Sequence, residues 1–178
     1  PNNFKPTHKV QPVLDAHNHI EIGTTTDVKV KMAGRLMTRR DMGKAAFFNF
    51  QDQTGCMQAY IKLEELPETD RQFFTLTDIG DWIGIDGLIF KTKKGELSVH
   101  CQRFEIICKT LEPLPEKFHG IADVELEYRH RHLDLIMDKD SRAVFETRSK
   151  IVREIRSFLD GRGFLEVETP VLQPIYGG

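Results

Sequence analysis

Between Val28 and Gln53 the chain alternates so regularly that an antiparallel β-hairpin is the natural way to fold it. Val28, Val30 and Met32 recur at every second position, and the run continues through Gly34 and Arg35 to Met37. After a turn at Asp41-Met42-Gly43, Phe48 and Phe50 fall on one face and Phe47, Asn49 and Gln51 on the other. A period of two marks a strand with one buried side. The opposite side then carries an aromatic ring, amides and an arginine, the groups that stack on and hydrogen-bond to unpaired bases. Arg39, Arg40 and Lys44 surround the turn and are candidate phosphate contacts. An ordinary hairpin with a solvated outer face accounts for the same residues.

The following segments decide what the hairpin belongs to. Thr54-Gly55 is a tight turn, and Cys56 to Lys62 reads as a third strand with Met57, Ala59 and Ile61 inward and Gln58 and Tyr60 outward. From Glu64 to Leu76, charged residues around Leu66 and Phe73-Phe74 suit a short helix. Asp81 to Lys91 returns to strand, with Gly84 and Gly87 marking bends or a bulge. A turn at Lys93-Lys94-Gly95 leads into a last strand, Glu96 to Cys108, with Leu97, Val99 and Cys101 inward and Glu96, Ser98 and His100 outward. Five strands with a helix between the third and fourth is the order of an OB-fold, a Greek-key barrel whose face binds oligonucleotides or oligosaccharides. A generic β-sandwich is the alternative. Fold alone does not assign a function.

Composition narrows the partners. The 178 residues carry a net charge of -2, so any contact with nucleic acid must be a local basic patch. No run is apolar enough to span a membrane, and the start, PNNFKPTHKV, has no signal-peptide pattern. Its lack of an initiator Met suggests a missing N-terminus. Cys56, Cys101 and Cys108 form no CxxC pair, which argues for a reducing compartment. Cys101 and Cys108 read as small core residues. His17 and His19 have no companion ligands nearby, so no metal is assigned.

The sequence divides into an N-terminal arm over 1–27, packed or frayed, a barrel over 28–110, a linker over 111–139 and the start of a second domain over 140–178. The linker opens with Leu111-Glu112-Pro113-Leu114-Pro115. Within Asp123 to Asp138, Tyr128, Leu133, Leu135 and Ile136 are expected to pack on neighbours, and Arg129, Arg131, His130 and His132 could meet phosphate. Asp140 is the expected N-cap of a helix from Ser141, and Gly161 and Gly163 its end. Phe164 to Leu172 reads as a strand that Pro170 confines to an edge or interface. One helix and one edge strand make no core of their own, so the second domain reads as cut short.

The segments GRLMTRRDMGKAAFFNFQD, FKTKKGELSVHC, LEPLPEKFHGIADVELEYRHRHLDLI and RGFLEVETPVLQPIYGG closely resemble, in order, the N-terminal part of lysyl-tRNA synthetases. These are class II aminoacyl-tRNA synthetases of the subgroup that includes the aspartyl and asparaginyl enzymes. His132, where Tyr is usual, and Cys56, where a basic residue is common, depart from the pattern. The resemblance implies a mainly β protein: a five-stranded OB-fold barrel that binds the tRNA anticodon, then the first helix and strand of an α+β catalytic domain. It implies that Phe47 stacks on an anticodon base, that Arg35 and Gln58 read the central uridine, and that Glu96 is an accessory contact. It also implies a homodimer through motif 1, here Gly163, Phe164 and Pro170, in a cytoplasmic ligase that uses ATP and Mg²⁺ to charge tRNA(Lys). Motifs 2 and 3, which hold that chemistry, are not among these residues, so no catalytic residue is assigned. The alternative is a non-catalytic OB-fold RNA-binding module or a synthetase remnant.

Overall fold

The structure, a computed structural model, describes residues 3–115, 124–170 and 172. The chain forms two compact units, Pro1–Leu114 and Pro115–Gly178.

In the first unit, β1 (Thr25–Asp41), β2 (Ala45–Gln51), β3 (Cys56–Lys62), β4 (Trp82–Lys91) and β5 (Leu97–Cys108) close into a barrel in the order β1-β2-β3-β5-β4. All neighbours are antiparallel except β3 and β5. This is the OB-fold, and closure excludes the sandwich. Closure needs β1 to be long: its first part pairs with β4 and its last part with β2. The backbones approach so tightly at Gly87 that a Cβ there would lie 2.2 Å from the carbonyl oxygen of His100. Only glycine fits that position.

The inward parity of each strand fills the barrel. Phe48, Phe50, Ile61, Ile83, Ile85 and Ile89 are all essentially inaccessible to solvent. Between β3 and β4, α2 (Glu68–Thr75) adds Phe74 to this core. Its ring meets Phe104 edge-on at 5.2 Å, and Phe104 meets Phe48 edge-on at 6.0 Å. A buried polar clamp fixes α2: Asp70 accepts hydrogen bonds from Arg103 Nε at 2.7 Å and from the Phe104 amide at 3.0 Å. A second clamp joins the start of β4 to the chain after β5. Asp81, fully buried, accepts from Lys109 Nζ at 2.6 Å, the Asp78 amide at 2.8 Å and the Thr110 amide at 2.8 Å. Burial pushes its carboxyl up, but these donors outweigh it and hold the group below the usual aspartate range.

Within the N-terminal arm, α1 (Val10–His17) buries Val10 and Val13. The Val10 amide donates to Asp52 Oδ2 at 2.9 Å, while Asp52 Oδ1 accepts from the amides of Thr54 and Gly55. Burial raises the Asp52 carboxyl, and these hydrogen bonds more than reverse it.

The second unit contains α3 (Val124–Arg129), α4 (Arg131–Met137) and α5 (Lys139–Asp160). Its N-cap is Asp138, not Asp140: Asp138 accepts from the amides of Asp140 and Ser141. Arg142 donates to the carbonyls of Leu135 and Ile136, which α4 leaves without helical partners. The left-handed residue after α5 is Gly163, with φ 82, while Gly161 is right-handed. Three expectations need correction. Tyr128 is 72% exposed rather than packed, since its neighbour is the Arg131 guanidinium at 4.8 Å and not an apolar surface. Cys108 is exposed, because it pairs with Trp82 at the open end of β5. Residues 164–170 form no strand, because no ladder partner lies beside them among the described residues. The expected features at Phe118-His119-Gly120, Val171 and Ile175–Gly178 lie outside the described residues.

Candidate nucleic-acid interface

The outer face of the barrel takes its layout from the register. Phe47 on β2 lies opposite Tyr60 on β3, which lies opposite His100 on β5. Their rings follow one another, Phe47 to Tyr60 at 4.9 Å and Tyr60 to His100 at 5.5 Å, and Phe90 on β4 stands 6.2 Å from both Tyr60 and His100. An aromatic surface thus spans four strands. Sequence parity already turned Tyr60 and His100 outward, but nothing in the sequence said that their rings would join that of Phe47.

One register row along lies a polar strip. Asn49 is opposite Gln58, and Gln58 is opposite Ser98. Gln58 Nε2 donates to Glu96 Oε2 at 2.7 Å, and Gln58 Oε1 accepts from Ser98 Oγ at 3.1 Å. Ser98, expected outward, is fully buried, because the β5 backbone and this contact cover it. Below the aromatic rings, Glu65 bonds Lys62 Nζ at 2.8 Å and His100 Nε2 at 2.8 Å. Lys62, with His100 beside it, holds the Glu65 carboxyl below its usual range.

The arginines separate according to a bulge. Leu36 pairs with Phe50 and Thr38 with Asn49, so Met37 is an extra residue on β1. Beyond it the parity inverts. Arg40 comes opposite Phe47 on the outer face. Arg39 comes opposite Phe48 and turns to the barrel end. There its guanidinium lies 4.1 Å from the Phe74 ring centre and donates to the carbonyls of Phe74 and Thr77. Its Nε also donates to Asp41 in the turn at 2.9 Å, so Arg39 flanks the turn as expected and ties it to the end of α2. Lys44 is exposed and pairs with Glu64 at 2.6 Å. Arg35 sits before the bulge, between Gln51 and Trp82. Its Nη1 donates to the Gly80 carbonyl at 2.8 Å and its guanidinium stands 5.2 Å from the Trp82 ring. Burial lowers the Arg35 pKa, partly offset by Cys108. The structure thus brings Phe47, Gln58, Glu96 and Arg40 to one part of the face, with Arg35 in the next row along.

Burial pushes the Cys101 thiol far above its ordinary value, so it offers no thiolate. Among the described residues, no group of three His, Cys, Asp or Glu could hold a metal ion, and no helix is long and apolar enough to cross a membrane. The apolar stripe of α5, including Ala143, Val144, Ile151 and Val152, is exposed. Of the expected motif 1 residues, Gly163 makes the turn after α5, and Phe164 and Pro170 are exposed.

Comparison with known proteins agrees with the barrel fold. Residues 30–107 match the family described as OB-fold nucleic acid binding domain, and residues 123–178 match the class II tRNA synthetases of the D, K and N group. A lysine–tRNA ligase of Pelotomaculum thermopropionicum is 50% identical over 175 residues, covering 98% of this chain and 34% of the relative. Those of a Synechococcus species and of Coxiella burnetii are 47% and 45% identical, covering 98% and 100% of this chain and 35% and 36% of the relatives. The chain spans about a third of the length of these relatives.

Proposed function

We propose that this chain, similar along its length to the N-terminal anticodon-binding region of lysine–tRNA ligases, is the part of such an enzyme that holds the anticodon loop of tRNA(Lys). The observation that carries the reading is the aromatic row Phe47–Tyr60–His100 bordered by Arg40 on one side and by the Gln58 amide one register row away. Rings with exposed faces take unpaired bases regardless of sequence, at roughly 1–3 kcal/mol per base. Gln58 adds selectivity, since an amide both donates and accepts, as uracil's edge requires. Phe47 is the principal stacking platform, Arg40 and Lys44 meet phosphates, and Glu96 supports Gln58. Arg35 serves the same face from the Trp82 end.

The parent protein activates lysine with ATP and Mg²⁺ and transfers it to the tRNA. It acts in the cytoplasm as a homodimer, with residues 163–170 and the apolar stripe of α5 at the interface. The described residues offer no acidic cluster for the ion, and no chemical step is assigned to them. Because residues resembling motifs 2 and 3 are not among these 178, the purified chain should show no lysine-dependent pyrophosphate exchange. Binding is tested with a lysine anticodon stem-loop at fixed salt. Binding no tighter than that of an unrelated hairpin of equal charge would refute the reading.

A further inference from the structure

The Gln58 amide can point two ways, and each way reads a different pyrimidine. With Oε1 toward base N3 and Nε2 toward the exocyclic group, it accepts the N3–H of uracil and donates to O4. Rotated by half a turn, it donates to the unprotonated N3 of cytosine and accepts from its amino group. A glutamine free to turn would therefore discriminate poorly.

This glutamine is tied at both ends. Glu96 Oε2 lies 2.7 Å from Nε2, and an ionised carboxylate only accepts, so the half-turned amide would set two oxygens against each other. Ser98 Oγ lies 3.1 Å from Oε1 and is fully buried, so the hydroxyl has no competing water. Its other acceptor is the Glu96 carbonyl, at the longer distance of 3.3 Å. Both ties come from β5, paired in register with β3 at Gln58 and Ser98. After these two bonds the amide retains one N–H and one lone pair, which is what a single uracil edge consumes.

We propose that Ser98 and Glu96 are positioning residues that hold the Gln58 amide in the uridine-reading orientation, so that this pair sets the preference for uridine over cytidine. The proposal rests on the anticodon reading of this face. Glu96 acts through Gln58 rather than on the base. Ser98, which touches no base, favours the same orientation: with the amide half-turned its hydroxyl would accept from Nε2 and donate only to the Glu96 carbonyl, at the longer 3.3 Å.

The test uses the full chain and two lysine anticodon stem-loops differing only in U or C at the central position. The wild type should prefer U by roughly 5- to 150-fold, the range of a bidentate base contact. Glu96→Gln replaces an obligate acceptor by a group that can donate or accept, which frees the amide to turn. Binding of the U loop should then weaken by about twofold, because about half the population is misoriented. Binding of the C loop should tighten, a gain that damage to the fold cannot produce. Ser98→Ala should also lower the U-over-C ratio, and Ser98→Thr, which keeps the hydroxyl, should restore it. Thermal melting identifies any Ser98 variant that fails to fold, and Glu96→Gln then decides alone. If the wild type shows no preference for U, or Gln58→Ala leaves the preference intact, the anticodon reading of this amide fails and the inference with it. If Gln58→Ala abolishes the preference while Glu96→Gln and Ser98→Ala retain it, only the inference is overturned. A loss in a folded Ser98→Ala that Ser98→Thr does not restore removes Ser98 from it.

Discussion

Phe47 and Phe48 are neighbours in sequence and opposites in role, and truncating each in turn tests the face assignment. Phe48 is 1% exposed, with the rings of Phe74 and Phe104 at 5.9 and 6.0 Å. Phe48→Ala removes a whole ring from a core closed by strands and α2. Transfer and cavity contributions together amount to about 3–5 kcal/mol. Phe47 is half-buried, and its ring partner among the described residues is Tyr60 at 4.9 Å. Losing such a cross-strand pair costs about 0.5–1.5 kcal/mol of stability. The same truncation removes a stacking platform, so loop binding should weaken by about 1–3 kcal/mol, on the order of 5- to 150-fold. The assay pairs chemical denaturation with stem-loop binding at constant ionic strength. Phe48→Ala should lower the midpoint strongly and, in whatever fraction remains folded, bind normally. Phe47→Ala should melt close to wild type and bind poorly. The reverse outcome would mean that the parity is inverted. A Phe47→Ala that changes neither property would remove the base-binding role from this face.

The two arginines beside the bulge should separate in the same manner. Arg40→Ala should weaken loop binding and reduce the salt dependence by about 0.7 in logarithmic slope, the share of one phosphate contact on a single strand. Arg39→Ala should instead lower stability by about 1–3 kcal/mol, because two carbonyls of the α2 end lose their donor, and leave the salt slope unchanged. Gly87→Ala, whose Cβ would meet the His100 carbonyl at 2.2 Å, should destabilise the barrel by about 1–3 kcal/mol or more, read by thermal melting. Asp52 and Asp81 both ionise more readily in the folded state than the ordinary aspartate value of about 3.9. The folded state therefore binds fewer protons than the unfolded chain in this range. Their contribution is fully present above that value and is lost as pH falls through the depressed folded values, so stability should decline with acid there. Replacing either Asp by Asn should flatten that acid limb of the stability curve, and an unchanged limb would refute the assignment.

What the sequence made legible followed from the period of two. Phe48, Phe50, Met57, Ala59, Ile61, Leu97, Val99 and Cys101 lie inside as their parity requires. A strand with one wet face exposes its pattern directly. Parity failed where the backbone departed from regularity. The extra residue at Met37 is invisible to a periodicity argument, because nothing in Leu36-Met37-Thr38 distinguishes a bulge from a plain strand. The consequence is large, since counting straight through from Val28 would turn Arg40 inward and Arg39 outward. Ser98 shows a different limit. Its parity is outward, yet it is inaccessible, because burial of a small side chain depends on the longer ones beside it. The stretch after α5 shows a third: Phe164-Leu165-Glu166-Val167 has the composition of a strand, but a strand also needs a partner ladder, and propensity cannot supply one. The face of this barrel is therefore fixed by two kinds of information. Alternation chooses which residues look outward. A single bulge and the close pairing of β3 with β5 choose which of them meet, and these decide whether Phe47 has a cation beside it and whether Gln58 can turn.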